Sequence, residues 1–335
     1  MLLEIRHALH FTYDDFVRES QMELRVEPST SPRQVVQSFH LAVGPPAAVH
    51  RFRDWNGNAV HHLGIRDYHD RIEVEARSLV EVSEDAPGLD ALDAPPGPAA
   101  GPLLDFVLPH GPTAGDGRLA ELSASVAAPA DAPVGVQVRA VDEALRAAIR
   151  YEPGVTDWRS TAEEALASGS GVCQDFAHVA LGLLRRRGIP SRYVSGYLHV
   201  GETTDPAQSH AWIEVYGGGR WVGFDPTHSR TPDAHYVRVA SGRHYHDVPP
   251  NRGVYRGTAE EELSATVETR AVAPRDVASL QRSTADLEVP VYSEPPRPAH
   301  ARRPLVEQQP ADPAEDQLQQ QQQQRAHALM TSPDA

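Results

Sequence analysis

Apolar and polar positions alternate along the first 85 residues, and this period of two is typical of β-strands. One face of the first predicted strand carries Leu3, Ile5, His7, Leu9, Phe11 and Tyr13. The turn Trp55-Asn56-Gly57-Asn58 separates two further strand-like runs, Val49–Trp55 and Ala59–Ile65, and predicts a hairpin. Several short strands joined by turns predict a small β-sandwich-like domain, which we place at residues 1–84.

The alternation is lost between residues 85 and 135. This stretch contains residues typical of turns and linkers, such as Asp93-Ala94-Pro95-Pro96-Gly97-Pro98, and one apolar run at Leu103–Leu108. The pattern predicts an irregular connector with one short helix.

Helical spacing of apolar residues begins at about residue 136. The positions that fit one helix face are Val136, Val138, Val141, Leu145 and Ile149. Ser160-Thr161-Ala162-Glu163 has the spacing of a capping box and predicts a short helix through Ala167. A stronger amphipathic helix follows the turn Gly169-Ser170-Gly171, and Gly188 and Pro190 end it.

Strand-like runs follow the helices. They are Ser191–Val200, His210–Tyr216, Arg220–Phe224, His235–Val239 and Glu262–Val272. Gly217-Gly218-Gly219 joins the second and third runs into a predicted hairpin. Helices followed by an antiparallel sheet predict an α+β domain, which we place at residues 136–272. Beyond it, a Pro-rich run and the Gln tract at 319–324 predict a disordered low-complexity tail over residues 273–335.

Composition narrows the possible functions. A formal charge of −15 and a pI near 5.5 argue against a nucleic-acid partner and against docking on an anionic membrane. No stretch approaches the roughly 18–20 apolar residues of a membrane span, and charged residues interrupt Met1–Tyr13, where a signal peptide would be apolar. We therefore expect a cytoplasmic protein. The single cysteine, Cys173, excludes an intramolecular disulfide and a multi-thiolate metal site.

Cys173 lies two residues beyond a Gly-Ser-Gly turn, at the start of a predicted helix. Unsatisfied backbone N–H groups and the positive end of the helix dipole stabilise a thiolate at such a position. The same N–H groups can hold a developing oxyanion. The alternative is that the thiol is only a small, inert hydrophobic side chain.

A nucleophilic thiol needs a base and a third group that orients the base. His210 begins one strand of the predicted Gly-Gly-Gly hairpin, and Asp225 ends the other strand. The start of one strand lies beside the end of its hairpin partner, so this geometry predicts that His210 and Asp225 are neighbours. Because the chain has 17 histidines, a role for His210 as an ordinary surface residue remains the alternative.

Three segments around these residues resemble the motif blocks of the transglutaminase-like superfamily, in the order Cys, His, Asp. They are Gly171–His178, Ser209–Val215 and Gly223–Thr227. The chain is more narrowly similar to a bacterial group with a β-rich, transglutaminase-associated N-terminal domain. The segments that match this group are Arg53–Asn58, Tyr68–Val82, Tyr193–Tyr197 and Val248–Gly257. The resemblance covers roughly residues 1–270 and excludes the tail.

The resemblance implies a papain-like thiol enzyme. Cys173 would attack an amide carbonyl of a protein or peptide substrate, His210 would act as base and then as acid, and Asp225 would orient His210. The resulting thioester would be hydrolysed by water or transamidated by an amine, and the availability of water slightly favours hydrolysis. The competing interpretation is a non-catalytic binding or scaffold protein that keeps the fold.

No cofactor and no metal site are predicted. Paired histidines at His61-His62 and at His244–Asp247 are close enough for ligation, but no HExxH motif or carboxylate-rich block accompanies them. No run of acidic residues resembles the calcium sites of animal transglutaminases. Beside the nucleophile, Gln174 either contributes to an oxyanion hole or faces solvent, and Asp175 is expected to serve the helix dipole or a salt bridge.

Overall fold

The computed structural model describes residues 1–201, 208–278 and 280. Five strands come first along the chain: β1 (Leu2–Leu24), β2 (Gln34–Gly44), β3 (Val49–Arg53), β4 (Ala59–Ile65) and β5 (His69–Val82). They lie in one antiparallel sheet in the order β2-β5-β1-β4-β3. The predicted hairpin is confirmed, because β3 pairs with β4 from Val49↔Leu63 to Arg53↔Ala59.

The long strand β1 divides this sheet into two halves. Its first half pairs with β5 and its second half with β4, and the register shifts between Thr12 and Val17. Side chains from both halves meet in one core that contains Leu9, Phe11, Met22 and Leu24. The alternation of apolar residues along β1 therefore fills a shared interior, and the predicted β-rich, sandwich-like N-terminal domain is confirmed.

The stretch predicted as a connector contains short helical segments. Three 3-10 turns come first, at Leu89–Ala91, Gly101–Phe106 and Gly111–Thr113. One short α-helix follows them, α1 (Arg118–Ser125). The short α-helix agrees with the sequence prediction, and the three 3-10 turns were not predicted.

Three further α-helices follow: α2 (Val134–Ala148), α3 (Ala162–Ser168) and α4 (Cys173–Arg186). Val136 was expected on the buried face of α2 but is exposed, while Val138, Val141 and Leu145 are buried as expected. The helical repeat of 3.6 residues explains this difference, since Val136 and Val138 are two residues apart and cannot share a face.

The start of α3 differs from the prediction by one residue. Thr161 is the N-cap, and Glu164 completes the capping box by accepting from the Thr161 backbone N–H at 2.8 Å. Glu163, the expected capping partner, accepts instead from the backbone N–H groups of Gly117, Arg118 and Leu119. Its carboxylate therefore satisfies the first turn of α1, which has no capping side chain of its own.

A second antiparallel sheet carries the first four strand-like runs that follow the helices. It consists of β8 (Ser191–Leu198), β9 (Gln208–Gly217), β10 (Arg220–Phe224) and β11 (Tyr236–Gly242), in the order β10-β9-β8-β11. The predicted Gly-Gly-Gly hairpin is confirmed, because β9 and β10 pair around Gly217–Gly219. Helix α4 packs against β8 and β9. Two short strands, β6 (Arg150–Tyr151) and β7 (Ser170–Gly171), pair separately in parallel.

The last strand shows that the prediction for Glu262–Val272, which we expected in the second sheet, is wrong, and the strand before it was not predicted. Strands β12 (Asn251–Arg256) and β13 (Glu261–Ala271) pair with β1 in the N-terminal sheet. The chain therefore returns to its first strand after it has built the second sheet. An alternating strand fits any sheet with one solvated face, so its pattern alone does not select the partner. The division into residues 1–84, 85–135 and 136–272 stays a prediction.

Buried amides link the two sheets at β11. The side chain of Gln34 donates to the Arg238 carbonyl at 2.7 Å and accepts from the Arg238 N–H at 2.8 Å. Asn58 makes the same pair of bonds with the backbone of Ser241, at 2.9 and 2.8 Å. These paired hydrogen bonds fix β11, and with it the second sheet, against the N-terminal strands.

The α+β class is confirmed. No helix among the described residues has both the length and the apolar character needed to cross a bilayer. The cytoplasmic location remains a prediction. Most of the tail that we predicted to be disordered lies outside the described residues.

Candidate active site

Cys173 is the first residue of α4, and its free thiol is partly exposed. The preceding residue, Val172, has an extended backbone and no side chain that can cap the helix. As the first helical residue, Cys173 has a backbone N–H without an intrahelical acceptor. The structure therefore places the thiol at the positive end of a helix, as the sequence predicted.

His210 and Asp225 are brought together by the β9–β10 hairpin. His210 lies on β9, and Asp225 follows the last residue of β10 directly. The Nε2 atom of His210 and the Oδ2 atom of Asp225 are 2.8 Å apart. Both side chains are buried, with 7% and 0% of their surface exposed. The predicted cross-strand neighbours are therefore hydrogen-bonded partners, and both are buried.

The imidazole also interacts with the thiol. Burial alone would lower the pKa of His210, but the charge and hydrogen bond of Asp225, followed by those of Cys173, raise it to about 10. Because Asp225 occupies Nε2, the other ring nitrogen, Nδ1, is left for the thiol. His210 thus connects the sulfur to the buried carboxylate and is favoured in its protonated form.

Asp225 is held as a carboxylate by several donors. Burial opposes its ionisation, but the charge and hydrogen bond of His210, and then those of His228, hold its pKa well below the usual range. Its Oδ2 atom also accepts from His228 Nδ1 at 2.7 Å and from the Tyr236 hydroxyl at 2.6 Å. Its Oδ1 atom accepts from the Thr227 N–H at 2.9 Å.

Sequence reasoning missed two of these partners. His228 had a local signal, because a residue three positions after Asp225 in a turn can reach back to its side chain. Tyr236 had none, because its contact with Asp225 depends on the path of the intervening loop. Arg230 supports Tyr236 by donating to its hydroxyl at 2.9 Å.

His210, Asp225 and His228 also form a cluster with the spacing of metal ligands among the described residues. Their nitrogen–oxygen separations of 2.7 and 2.8 Å are those of hydrogen bonds, and the Tyr236 hydroxyl donates to the same oxygen. A carboxylate oxygen that already accepts three hydrogen bonds is arranged to orient imidazoles. The donor set therefore fits an orienting carboxylate better than a metal site.

The two residues after the nucleophile point away from solvent. Gln174 is buried, and its Nε2 atom donates to the Trp158 carbonyl at 3.1 Å, so the solvent-facing interpretation is wrong. Asp175 is buried as well, and its Oδ2 atom accepts from the Val172 N–H at 2.7 Å. This bond satisfies a donor of the helix start, as the sequence led us to expect for Asp175.

Comparison with known families matches two parts of the chain. Residues 120–226 match the family described as transglutaminase-like superfamily, and residues 3–81 match the bacterial transglutaminase-like N-terminal region. The first match begins inside the stretch predicted as a connector and ends just after Asp225.

Similar proteins are found in mycobacteria. An uncharacterized protein of Mycobacterium leprae is 32% identical over 280 residues, which cover 81% of this chain and 99% of the relative. An uncharacterized protein of Mycobacterium bovis is 31% identical over 284 residues, which cover 77% of this chain and 89% of the relative.

A crystal structure from Cytophaga hutchinsonii, described as a candidate cysteine protease, has the same fold. Its TM-score is 0.68 at 21% identity, and the match covers 88% of this chain and 95% of that one. The fold is therefore a papain-like α+β domain, with its cysteine on a helix start, beside an N-terminal β domain. The chain belongs to the transglutaminase-like superfamily, which is a superfamily of cysteine-dependent enzymes, and carries the N-terminal region of its bacterial members.

Proposed function

We propose that this protein is a cysteine-dependent enzyme that transfers the acyl group of a protein or peptide amide through a thioester on Cys173. The observation that carries the proposal is the position of His210. Its imidazole is hydrogen-bonded to the buried Asp225 and interacts with the partly exposed thiol of Cys173. A nucleophile, a base and an orienting group thus stand in the order that thiol acyl transfer needs.

In the first half of the reaction, the Cys173 thiolate attacks the amide carbonyl and a carbon–sulfur bond forms. The negative charge moves to the carbonyl oxygen, where the N–H of Cys173, which has no intrahelical acceptor, is available as a donor. The carbon–nitrogen bond then breaks, and the amine leaves with the proton of the His210 imidazolium. Asp225 keeps the imidazole oriented throughout and stabilises its charged form.

In the second half, an acceptor attacks the thioester. Neutral His210 takes a proton from the acceptor, the carbon–sulfur bond breaks, and the thiolate–imidazolium pair is restored. Water as acceptor gives hydrolysis, and a primary amine gives transamidation. We favour hydrolysis, because Cys173 is partly exposed, so that water can reach its thioester, and the candidate cysteine protease of the same fold agrees with this choice.

The test is mass spectrometry of Gln-containing peptides incubated with the full chain, with and without a primary amine. We expect deamidation or backbone cleavage in both samples and no reaction with Cys173→Ser. If the amine is incorporated into the peptide, the reaction is transamidation and not hydrolysis. If the wild-type chain converts no peptide, and iodoacetamide modifies Cys173 no faster than a free model thiol, the protein is a non-catalytic member of the superfamily.

A further inference from the structure

Arg146 lies in the last turn of α2 and takes no part in the acyl transfer proposed above. Its Nη2 atom donates to the carbonyl of Pro226 at 3.2 Å and to the carbonyl of Thr227 at 2.9 Å. These two residues follow Asp225 directly in the chain. One guanidinium therefore binds two consecutive peptide groups just after Asp225.

The same two peptide groups bind the side chain of Asp225 from their other side. The N–H of Thr227, which shares a peptide group with the carbonyl of Pro226, donates to the Oδ1 atom of Asp225 at 2.9 Å. The N–H of His228, which shares a peptide group with the carbonyl of Thr227, points to the same Oδ1 atom at 3.4 Å. The carbonyl and the N–H of a planar trans peptide point in opposite directions. Each peptide group thus stands between the positive guanidinium and the negative carboxylate.

The guanidinium is itself fixed by Asp142, one turn earlier on α2. The Oδ2 atom of Asp142 accepts from the Nε atom of Arg146 at 3.2 Å and from the hydroxyl of Ser229. Ser229 has a backbone φ of 53°, in the left-handed region that residues other than glycine rarely occupy. Helix α2 therefore holds the loop after Asp225 at three points, which are two carbonyls and one hydroxyl.

The two oxygens of the Asp225 carboxylate face different partners. Its Oδ1 atom faces the N–H groups of the loop, whereas its Oδ2 atom is 2.8 Å from Nε2 of His210. A carboxylate is planar, so donors that fix Oδ1 also determine where Oδ2 lies. Hydrogen bonds that follow one another in a buried site polarise each other, so a cation at the carbonyls strengthens the N–H bonds to Oδ1. Arg146 therefore acts on His210 without contact between the two side chains.

We propose that Arg146 is a positioning residue whose guanidinium acts through the two peptide groups after Asp225 and holds the carboxylate in the orientation that His210 requires. The inference rests on the proposed function, in which the His210 imidazolium supports the Cys173 thiolate. Loss of the guanidinium weakens the bonds to Oδ1 and misplaces Oδ2. The thiolate–imidazolium pair then becomes less favourable, and the neutral thiol is a poor nucleophile.

The test is the rate at which iodoacetamide alkylates Cys173 at neutral pH, since the thiolate is the form that reacts. Arg146→Met keeps an unbranched apolar stem but loses the charge and the donors, and we expect its rate to fall by about 3- to 10-fold. The matched control is Arg139→Met. Arg139 lies two turns earlier on α2 and pairs with the exposed Asp90, so this variant should react like wild type. An unchanged rate in Arg146→Met would overturn the proposal.

A double-mutant cycle separates an effect through Asp225 from a general effect on the fold. Asp225→Asn removes the carboxylate on which Arg146 acts. In that background, Arg146→Met should change the alkylation rate by less than about twofold. If Arg146→Met slows alkylation by the same factor in both backgrounds, Arg146 has a merely structural role and the proposal is wrong.

A second measurement observes one of the two peptide groups directly by NMR. Nitrogen-15 labelling of threonine gives the amide signal of Thr227, and Thr227→Ser identifies it by its loss. In Arg146→Met, the amide proton should move to higher field, because its hydrogen bond to Asp225 weakens. Arg139→Met should leave the signal in place, and a signal that also stays in place in Arg146→Met would contradict the proposal.

These measurements do not depend on one variant or on turnover of an amide. If Arg146→Met does not fold, Arg146→Gln, which keeps an amide donor but has no charge, replaces it with the same expected changes. The Thr227 signal needs neither a substrate nor a reactive thiol. If the signal moves as expected but the chain converts no peptide, the proposed acyl transfer fails while the action of Arg146 on Asp225 is supported.

Discussion

The Nε2 atom of His210 lies 2.8 Å from the Oδ2 atom of Asp225, although fourteen residues separate them along the chain. Antiparallel pairing of β9 with β10 brings Phe224 opposite Ile213 and so carries the next residue, Asp225, towards the start of β9. The register between β9 and β10 therefore determines this hydrogen bond. A shift of register by one residue would turn the imidazole to the opposite face of the sheet.

Removal of the Asp225 charge should impair the proposed reaction much more than it impairs folding. In Asp225→Asn, we expect kcat/KM for the converted peptide to fall by about 10³- to 10⁴-fold, because the imidazole loses the carboxylate that orients and charges it. The matched control is Asp233→Asn. Asp233 binds His235 at 2.9 Å in an exposed pair, and kcat/KM of that variant should stay near the wild-type value. Equal losses in the two variants would contradict the role of Asp225.

The proposed enzyme should lose activity at high pH through His210. The leaving amine needs the proton of the imidazolium, so kcat/KM should fall as pH rises through about 10, the pKa of His210. The same raised pKa stabilises the folded state fully below the ordinary value of 6.5, and this stabilisation is lost as pH rises towards 10. In Asp225→Asn, kcat/KM should fall at a lower pH than in the wild type, because burial, which lowers the pKa of His210, is then opposed only by Cys173. If kcat/KM falls at the same pH in the variant and in the wild type, a group other than His210 causes the fall.

Buried neutral histidines should make the protein sensitive to acid. Burial lowers the pKa of His7 from 6.5 to about 4, so the unfolded chain binds more protons than the folded one between these values. The free energy of unfolding should therefore drop as pH falls from 6.5 to 4, by about 1.4 kcal/mol per pH unit for such a group. Urea denaturation at several pH values measures this slope.

The variant His7→Gln should reduce that slope, because glutamine offers the Tyr197 hydroxyl a hydrogen-bond partner but does not titrate in this range. His10 lies on the exposed face of the same strand, so His10→Gln should leave the slope unchanged. Identical slopes in His7→Gln and wild type would show that His7 is not responsible.

Gly171→Ala should disturb the helix start that carries the thiol. The added Cβ atom would lie 2.7 Å from Asp175, so the carboxyl must move, at a cost of about 1–3 kcal/mol in the free energy of unfolding. The rate at which iodoacetamide modifies Cys173 should change as well. Gly88→Ala is the control, since nothing lies within 4 Å of a Cβ atom there. Unchanged stability and unchanged alkylation in Gly171→Ala would show that the site tolerates the methyl group.

The sequence alone predicted the local elements and three residues of the candidate site. The period of two along β1, the helical spacing in α4 and the Gly-Gly-Gly turn all depend on neighbours in the chain, and their elements were confirmed. Cys173, His210 and Asp225 could be placed because one turn and one hairpin determine their positions. The capping box of α3 lies one residue later than predicted, because Glu163 accepts hydrogen bonds from backbone N–H groups at the start of α1.

Tertiary structure alone decided which elements share a sheet and what surrounds the site. The alternating pattern of β13 is that of a half-buried strand, and it fits either sheet. Long-range packing determines that β13 pairs with β1. The hydroxyl of Tyr236 reaches Asp225, and that of Thr156 reaches Asp175, across loops whose paths no local pattern specifies. Periodicity and turns are short-range properties of the chain. The burial that raises the pKa of Asp175, and the buried carboxylate of Asp225 that raises the pKa of His210 against burial, arise only when distant segments pack together.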